Sequence, residues 1–453
     1  MPSPSSTRPL RVAVVGAGFG GLCLAHHLKR SGIAVDVYEC DRTRADGLHG
    51  YRVGIDPDGS RALKASLPPD LFATFAATCA RAPRRMTMVT EKLGTLLDIP
   101  FDPGADPGEA EHSVSRMTLR QVLLTGLEDV VHFDKEFTHY ERHDDATVTA
   151  HFADGTHANA DLLVAADGAN SRVRAQYLPH ARVTDCGIVG LTAKAPLTAR
   201  TRSLVPAHVA EGVGLIVAPR GFNGILHTME FNWDRDGVVK NGIGGNDAEL
   251  IARWPGLLYD NTRDYINWGI WAATDKFPPD VRRLRGQDVV DLALRLTPHW
   301  HPDLRTLMTL SDSSSAFPLV IRTSEPVAPW KPGNVTLLGD AIHTMTPGMG
   351  VGANTALRDA VLLGRNLADH HAGRRTLLDA VGDYEERMRD YAYPAVLASR
   401  ERMTGDAIVH KPVVGALALV GQRTMLRAVN RFPALKRKFT ERMADSRGAG
   451  REG

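Results

Sequence analysis

Several absences narrow the reading of this 453-residue chain. It has four cysteines, Cys23, Cys40, Cys79 and Cys186, widely spaced and without a metal-ligand pattern. Cys23 reads as a small buried apolar residue on a helix. No apolar run reaches the roughly 18 residues of a spanning helix. Lys and Arg number 54 against 52 Asp and Glu, so the net charge of +2 gives no reason to expect nucleic acid. Residues Met1 to Pro9 are polar and lack an apolar h-region, which reads as a short disordered lead rather than a signal peptide. No catalytic triad or paired carboxylate stands out. What is left is a soluble, cytoplasmic enzyme with ordinary apolar and charged fractions (43% and 23%) and room for two or three domains.

Glycine, by contrast, is concentrated where it carries information. Arg11-Val-Ala-Val-Val-Gly16-Ala-Gly18-Phe-Gly-Gly21 reads as a buried strand entering a helix. Gly16 permits the tight turn, Gly18 lets the backbone approach a pyrophosphate, and Gly21 lets the helix pack on the strand. The helix through Leu22, Leu24, Ala25 and Leu28 aims its N-terminus at the phosphates. A second strand, Val35 to Glu39, ends in a carboxylate placed for a ribose. Far downstream, Asn334-Val-Thr-Leu-Leu-Gly339-Asp340-Ala-Ile-His343 precedes Pro347-Gly-Met-Gly350-Val-Gly352-Ala-Asn354. Two such signatures this far apart suit one extended ligand gripped at both ends, which points to FAD.

A third signature, Asp167-Gly168-Ala-Asn-Ser171-Arg172-Val-Arg174, follows the buried strand Asp161 to Ala166. Its position at a strand's C-terminal end is where open α/β sheets bind ligands. Arg174 reads as a phosphate partner or a loop anchor. Between the signatures, Met86 to Thr90 and Leu96 to Ile99 form a hairpin around Gly94, and Val148 to Phe152 alternates as a strand. Strands are expected at Gly187 to Lys194, Gly214 to Ala218, Ile225 to Phe231 and Tyr265 to Ala273, with a helix at Val289 to Leu296. Pro412 to Gly421 is apolar and leads into a basic stretch around Arg423, Arg427, Arg431, Lys436, Arg437 and Lys438. It has the composition of a membrane-surface segment, but reads more simply as a C-terminal core helix with a solvated basic end.

In order and spacing, Gly16 to Gly21, Asp167 to Arg174 and Gly339-Asp340 resemble the GxGxxG, DG and GD motifs of p-hydroxybenzoate hydroxylase-like class A FAD monooxygenases. The resemblance runs from about Arg11 to about Arg400. It implies an α/β fold with a discontinuous, GR2-type Rossmann-like FAD domain (1–74, 101–183 and 325–400). It also implies an inserted, mainly β substrate domain (75–100 and 184–324), then C-terminal helices (401–445) and a disordered tail (446–453).

The cofactor-binding residues implied are Gly16, Gly18, Gly21, Glu39, Arg52, Arg116, Asp167, Gly339, Asp340, Pro347, Gly350, Gly352 and Asn354. Asp340 is expected on FAD hydroxyls, and Asp167 on both FAD and the nicotinamide nucleotide. Arg52, within Gly50-Tyr-Arg52-Val-Gly54, is expected near phosphates, and Arg116 near the flavin. The Pro347 to Asn354 segment is expected to start a helix whose dipole favours negative charge on reduced flavin. His343 reads as support for the loop. Pocket candidates are Pro347, His227 and Trp268, with Trp271 beside them, although an aromatic on a strand is more often core.

The resemblance further implies NADPH or NADH as reductant, O2 as co-substrate, and oxygen transfer through a flavin C4a-hydroperoxide. The substrate class implied is aromatic or polycyclic, as in secondary metabolism or aromatic catabolism. A second strand-bound GxGxxG is missing, which argues against enzymes with two dinucleotide domains. Trp268-Gly-Ile-Trp271 lacks the spacing and following Ile-Pro of flavin halogenases. Epoxidation, Baeyer–Villiger insertion, an isoprenoid-reductase or halogenase-like flavoenzyme and a noncatalytic flavin binder stay open, as do substrate identity and oligomeric state.

Overall fold

The computed structural model describes residues 9–44, 52–100, 106–231 and 264–446. The lead at residues 1–8, Gly50 and Tyr51, and the tail from 447 lie outside them.

The first unit is β1 (Arg11–Val15), α1 (Phe19–Arg30) and β2 (Ala34–Tyr38). A ribbon of β3 (Arg52–Ile55) and β6 (His112–Ser115) is separated in sequence by α2 (Pro57–Ser66), α3 (Pro69–Thr78) and the hairpin β4 (Arg85–Thr90) and β5 (Thr95–Pro100). After α4 (Arg116–Leu124) come β7 (Val131–His132) and a meander of β8 (Phe137–Arg142), β9 (Val148–Phe152) and β10 (His157–Ala160). Then β11 (Leu162–Ala165) leads to α5 (Arg172–Tyr177). Long strands β12 (Val183–Pro196), β13 (Gly212–Val217), β14 (Asn223–Met229), β15 (Tyr265–Ala273) and β16 (Asp312–Ser324) precede β17 (Val335–Leu337).

Two sheets organise the chain. The first is parallel, in the order β17-β11-β1-β2-β7. Its central strands are apolar without alternation: Val12, Ala13, Val14 and Val15 are all buried, as are Leu162 to Ala165 and Val335 to Leu337. That is the pattern of strands covered on both faces. Helices α1 and Gly352–His371 supply one cover, packing so closely that a Cβ at Gly20 would lie 2.5 Å from Leu338 Cδ1 and 3.2 Å from Ala356 O.

The second sheet has seven strands, ordered β16-β12-β15-β14-β13-β4-β5, all antiparallel neighbours except β13 and β4. Here residues alternate. Leu191, Leu226, Trp268 and Ile270 point into an apolar cluster with Val289 and Ala293 of helix Gln287–Leu296 and Leu304 of helix Pro302–Thr309. The other face carries Leu215, Ile225, His227, Asn267, Trp271 and Phe317.

The expected hairpin, strands and helix all form, with altered ends. Strand β12 starts earlier, at Val183, and carries a register shift between Asp185 and Ile188, where Gly187 sits at φ +69°. Strand β14 stops at Met229 rather than Phe231. A division at residue 75 would cut α3, because Phe75 is fully buried in the parallel sheet's core. The largest departure is at the C-terminus. Helix Pro412–Arg431 is no core helix, since only Gly415 and Leu426 are buried.

Candidate cofactor and substrate site

Strands β17, β11 and β1 are adjacent and parallel, with Leu337 level with Ala165 and Ala165 level with Val15. The three glycine signatures therefore leave the sheet side by side at its C-terminal edge. On one side of β1 the chain continues to β2; on the other lie β11 and β17. This is the switch point at which doubly wound sheets bind ligands.

Sterics explain the glycines. Gly16 has φ +104°, and a Cβ there would sit 2.4 Å from Ala166 O. A Cβ on Gly21 would fall 2.3 Å from Gly16 O, so the helix could not seat on the turn. Gly18 differs: its nearest atom would be Ala166 O at 3.9 Å, so its bare backbone faces open space. Gly168 and Gly350, at φ +73° and +71°, also have nothing within 4 Å.

The first turn is held by a charged network. Glu39 Oε2 accepts from Ala17 N at 2.6 Å, and its Oε1 accepts from Asp41 N at 3.0 Å. Arg120 lies 3.5 Å from Glu39, donates to Ala17 O at 3.2 Å and pairs with Asp41 at 2.7 Å. Glu39 thus braces the glycine turn, a duty beyond the ribose contact expected of it. Arg120 went unnoticed in the sequence because only the fold brings α4 beneath the turn.

The second and third signatures are tied together. Asp167 Oδ2 accepts from Arg172 N at 2.9 Å, while Oδ1 is buried without a partner among the described residues. Burial raises this carboxyl's pKa above the ordinary range, against the pull of those hydrogen bonds. Arg174 donates to Ala341 O at 2.8 Å and Ala169 O at 2.9 Å. It is a loop anchor, and its guanidinium is spent on carbonyls rather than left for phosphate.

Gly339 N donates to Asp359 Oδ2 at 2.8 Å, and His343 Nε2 meets the same oxygen at 2.5 Å. Tyr391 Oη donates to the other oxygen at 2.6 Å. Burial lowers a histidine's pKa, but the Asp359 charge and hydrogen bond overcome it and raise that of His343. Asp340 itself opens into the cleft, yet the protein around it desolvates the carboxyl and raises its pKa, opposed by His343, Arg116 and Arg322. Arg116 also lies 5.1 Å over the Phe19 ring, so the first and last signatures share this corner. Asp359, Tyr391 and Arg322 carry no motif of their own; helical spacing from Gly352 is the only hint of Asp359.

Across the cleft, Asn354 accepts from Asp56 N at 3.1 Å and donates to Gly54 O at 3.1 Å, joining the ribbon to the helix start at Gly352. Pro347 is exposed, and its carbonyl accepts from Gly350 N at 3.1 Å. Arg52 Nε donates to Ser113 Oγ at 3.1 Å, and Ser113 Oγ lies 3.3 Å from His227 Nε2. That contact makes the half-buried apolar face of the seven-stranded sheet confront the ribbon. Burial, then the Arg52 charge, push the His227 pKa well down, favouring the neutral imidazole. Its Nδ1 is buried without a partner among the described residues. Trp268 does not join this site: it is buried on the opposite face, its indole donating to Ser311 Oγ at 2.7 Å. Trp271 is on the cleft-facing side instead. A concavity of about 330 Å³ lined by Arg220, Phe222 and Lys276 touches none of these residues.

The chain resembles known proteins in the same regions. The family described as an NAD(P)-binding Rossmann-like domain matches residues 14–89, and the FAD binding domain family matches residues 303–397. A solved structure described as a FAD-containing monooxygenase from Photorhabdus luminescens is 34% identical, covering 86% of this chain and 97% of that one, with a TM-score of 0.74. This chain belongs to the FAD-dependent monooxygenase family. The dual O-methyltransferase/FAD-dependent monooxygenase CTB3 of Cercospora beticola is 31% identical over 86% of this monooxygenase chain and 45% of its own length. The chain therefore spans less than half of that relative. The FAD-dependent urate hydroxylase of Klebsiella pneumoniae is 27% identical, over 87% of this chain and 89% of its own.

FAD is the monooxygenase's cofactor, with a nicotinamide dinucleotide as reductant. The site fits a dinucleotide on its own terms. Gly18, Gly168 and Gly350 present bare backbone, and Asp167 Oδ1 is a buried acceptor in need of a donor.

Proposed function

We propose that this monooxygenase uses NADPH or NADH and O2 to insert one oxygen atom into an aromatic or polycyclic small molecule, most simply as a hydroxyl group. The observation that carries this reading is the cleft-facing wall of the seven-stranded sheet. Leu215, Ile225, Trp271, Phe317 and Leu319 remain half-buried there although all are apolar, and Thr192, Lys194, Asn223, His227 and Asn267 are polar residues on the same face. An apolar wall interrupted by polar groups suits a planar ring system that also carries hydroxyls.

The division of labour follows the sheets. The parallel sheet with residues 101–183 and 325–400 serves as the FAD domain, and the seven-stranded sheet as the substrate domain. Gly16, Gly18 and Gly21 with Asp167 hold the pyrophosphate and sugar end, and Glu39 keeps the turn in place. Gly339, Asp340, Gly350, Gly352 and Asn354 hold the other end, with Pro347 at the pocket wall. Arg52 and Arg116 place positive charge over the cleft. Bound FAD supplies electron storage and oxygen activation. The chain binds the substrate, excludes water and fixes charge. His227, held through Nε2 by Ser113, offers a hydrogen-bonding group that orients a substrate hydroxyl.

The test is purified protein with its visible spectrum, followed by NADH and NADPH oxidation with phenols and polycyclic quinols under air. Substrate-stimulated oxidation with an oxygenated product supports the reading. Equal turnover without O2 would instead indicate a reductase.

A further inference from the structure

The C-terminal helices carry an unusual surface. Helix Pro412–Arg431 sits on the edge of the seven-stranded sheet through one stripe. Leu426 is buried against Leu97 and Ile99 of β5, with Leu419 and Val429 beside it. Arg423 pairs with Glu91 and donates to Val217 O at 2.6 Å, and Asn430 Oδ1 accepts from Asp98 N at 3.2 Å. The opposite stripe is covered by none of the described residues. Val413, Leu417 and Val420, at helical spacing, are 75%, 71% and 63% exposed. Val414, Met425 and Phe432 continue the apolar surface alongside.

Charge decides what fits this face. From Ala407 to Thr440 the sequence holds seven Lys and Arg and no Asp or Glu. The whole chain is only +2, so the rest of it is net negative. Arg423 is used by Glu91 and Arg437 lies 3.8 Å from Glu441, whereas Lys411, Arg427, Arg431 and Lys438 are exposed. A second copy of the chain is a poor occupant. An isologous contact would set this strongly basic surface against itself. Among the described residues, no helix is long and apolar enough to cross a membrane.

We propose that Pro412–Arg431 and the following helix Pro433–Ser446 form a peripheral docking surface for an anionic phospholipid bilayer, the apolar stripe entering the interface and the basic residues meeting the headgroups. The helix is fixed to β5, at the edge of the sheet whose face forms the substrate wall. Docking there holds the enzyme at the layer into which an apolar ring system partitions. The proposal stands whether or not the substrate assignment does, because lipid binding is read without turnover.

The experiment is flotation of the full chain with phosphatidylcholine vesicles containing about one-third phosphatidylglycerol, against phosphatidylcholine alone. Binding to the anionic vesicles is expected to be at least about 10-fold stronger, and to fall steeply as salt rises from about 0.1 M to about 0.5 M. The double variants Leu417→Gln/Val420→Gln and Arg427→Glu/Arg431→Glu are each expected to lose it. Both change exposed positions, so flavin content and circular dichroism should match the parent. No flotation with anionic vesicles, or equal flotation by the Leu417/Val420 variant, overturns the proposal. A parent dimer that this variant converts to monomer also overturns it, and assigns the face to a second copy.

Discussion

His343 Nε2 and Asp359 Oδ2 meet at 2.5 Å with both side chains wholly enclosed. This contact sets the last glycine signature against helix Gly352–His371, because the same carboxylate also receives Gly339 N and Tyr391 Oη. Asp340 is then presented to the cleft between Gly339 and His343, both held by Asp359. The bond lies behind the site, where it positions groups without touching the reacting atoms.

Removing the carboxylate should therefore cost both stability and cofactor. Asp359→Ala leaves three buried donors without their acceptor, and breaking a buried charged pair typically costs about 3–5 kcal/mol. Urea unfolding should show a loss in this range, and the ratio of flavin to protein absorbance should drop. Full flavin content with unchanged stability would show that the loop holds itself.

Two buried histidines should give opposite pH slopes. His343 has a raised folded pKa, so its contribution is fully present below its ordinary value near 6.5 and is lost as pH rises through the raised one. His227 has a depressed pKa, so its contribution is present above the same value and is lost as pH falls. Melting curves across pH should show His343→Gln hurting most on the acid side. His227→Gln should relieve part of the parent's acid sensitivity. Parallel profiles for the two variants would contradict these assignments.

Gly16 and Gly18 should fail differently when given a methyl group. Gly16→Ala meets both a positive φ and the Ala166 carbonyl, so little folded protein is expected. Gly18→Ala has room in the free protein and adds its methyl where the ligand backbone must approach. Its thermal stability without FAD should match the parent, with FAD affinity lower by about 10-fold or more, on the order of 1.4 kcal/mol. Calorimetric FAD titration separates the two.

The two tryptophans of Trp268-Gly-Ile-Trp271 should separate core from wall. Trp268→Ala should destabilise by about 3–5 kcal/mol, as a large buried aromatic does, with substrate preference retained. Trp271→Ala should leave stability nearly intact and raise KM for the accepted ring system. A preference changed by Trp268→Ala alone would move the pocket to the other face.

Much of this architecture is legible in the sequence because glycine and buried strands carry strict local rules. Gly16, Gly21 and Gly339 are fixed by backbone sterics, and β1, β11 and β17 by uninterrupted apolar runs. Alternation does not choose between Trp268 and Trp271, because it says that two faces differ, not which face meets the cleft. Asp359, Arg120 and Ser113 were hidden because their roles arise from contacts across long sequence separations. The apolar content of the C-terminal helix suggests a core element, but its outer stripe has no partner among the described residues.

Oxygen transfer itself is tested most directly with isotope. The FAD-loaded enzyme, given NADPH or NADH and a phenol or polycyclic quinol that stimulates its oxidation, should be run under 18O2. One labelled oxygen atom in the product, with the other leaving as water, is the expected result. A product carrying oxygen only from solvent, or turnover unchanged when O2 is withdrawn, would contradict the monooxygenase assignment.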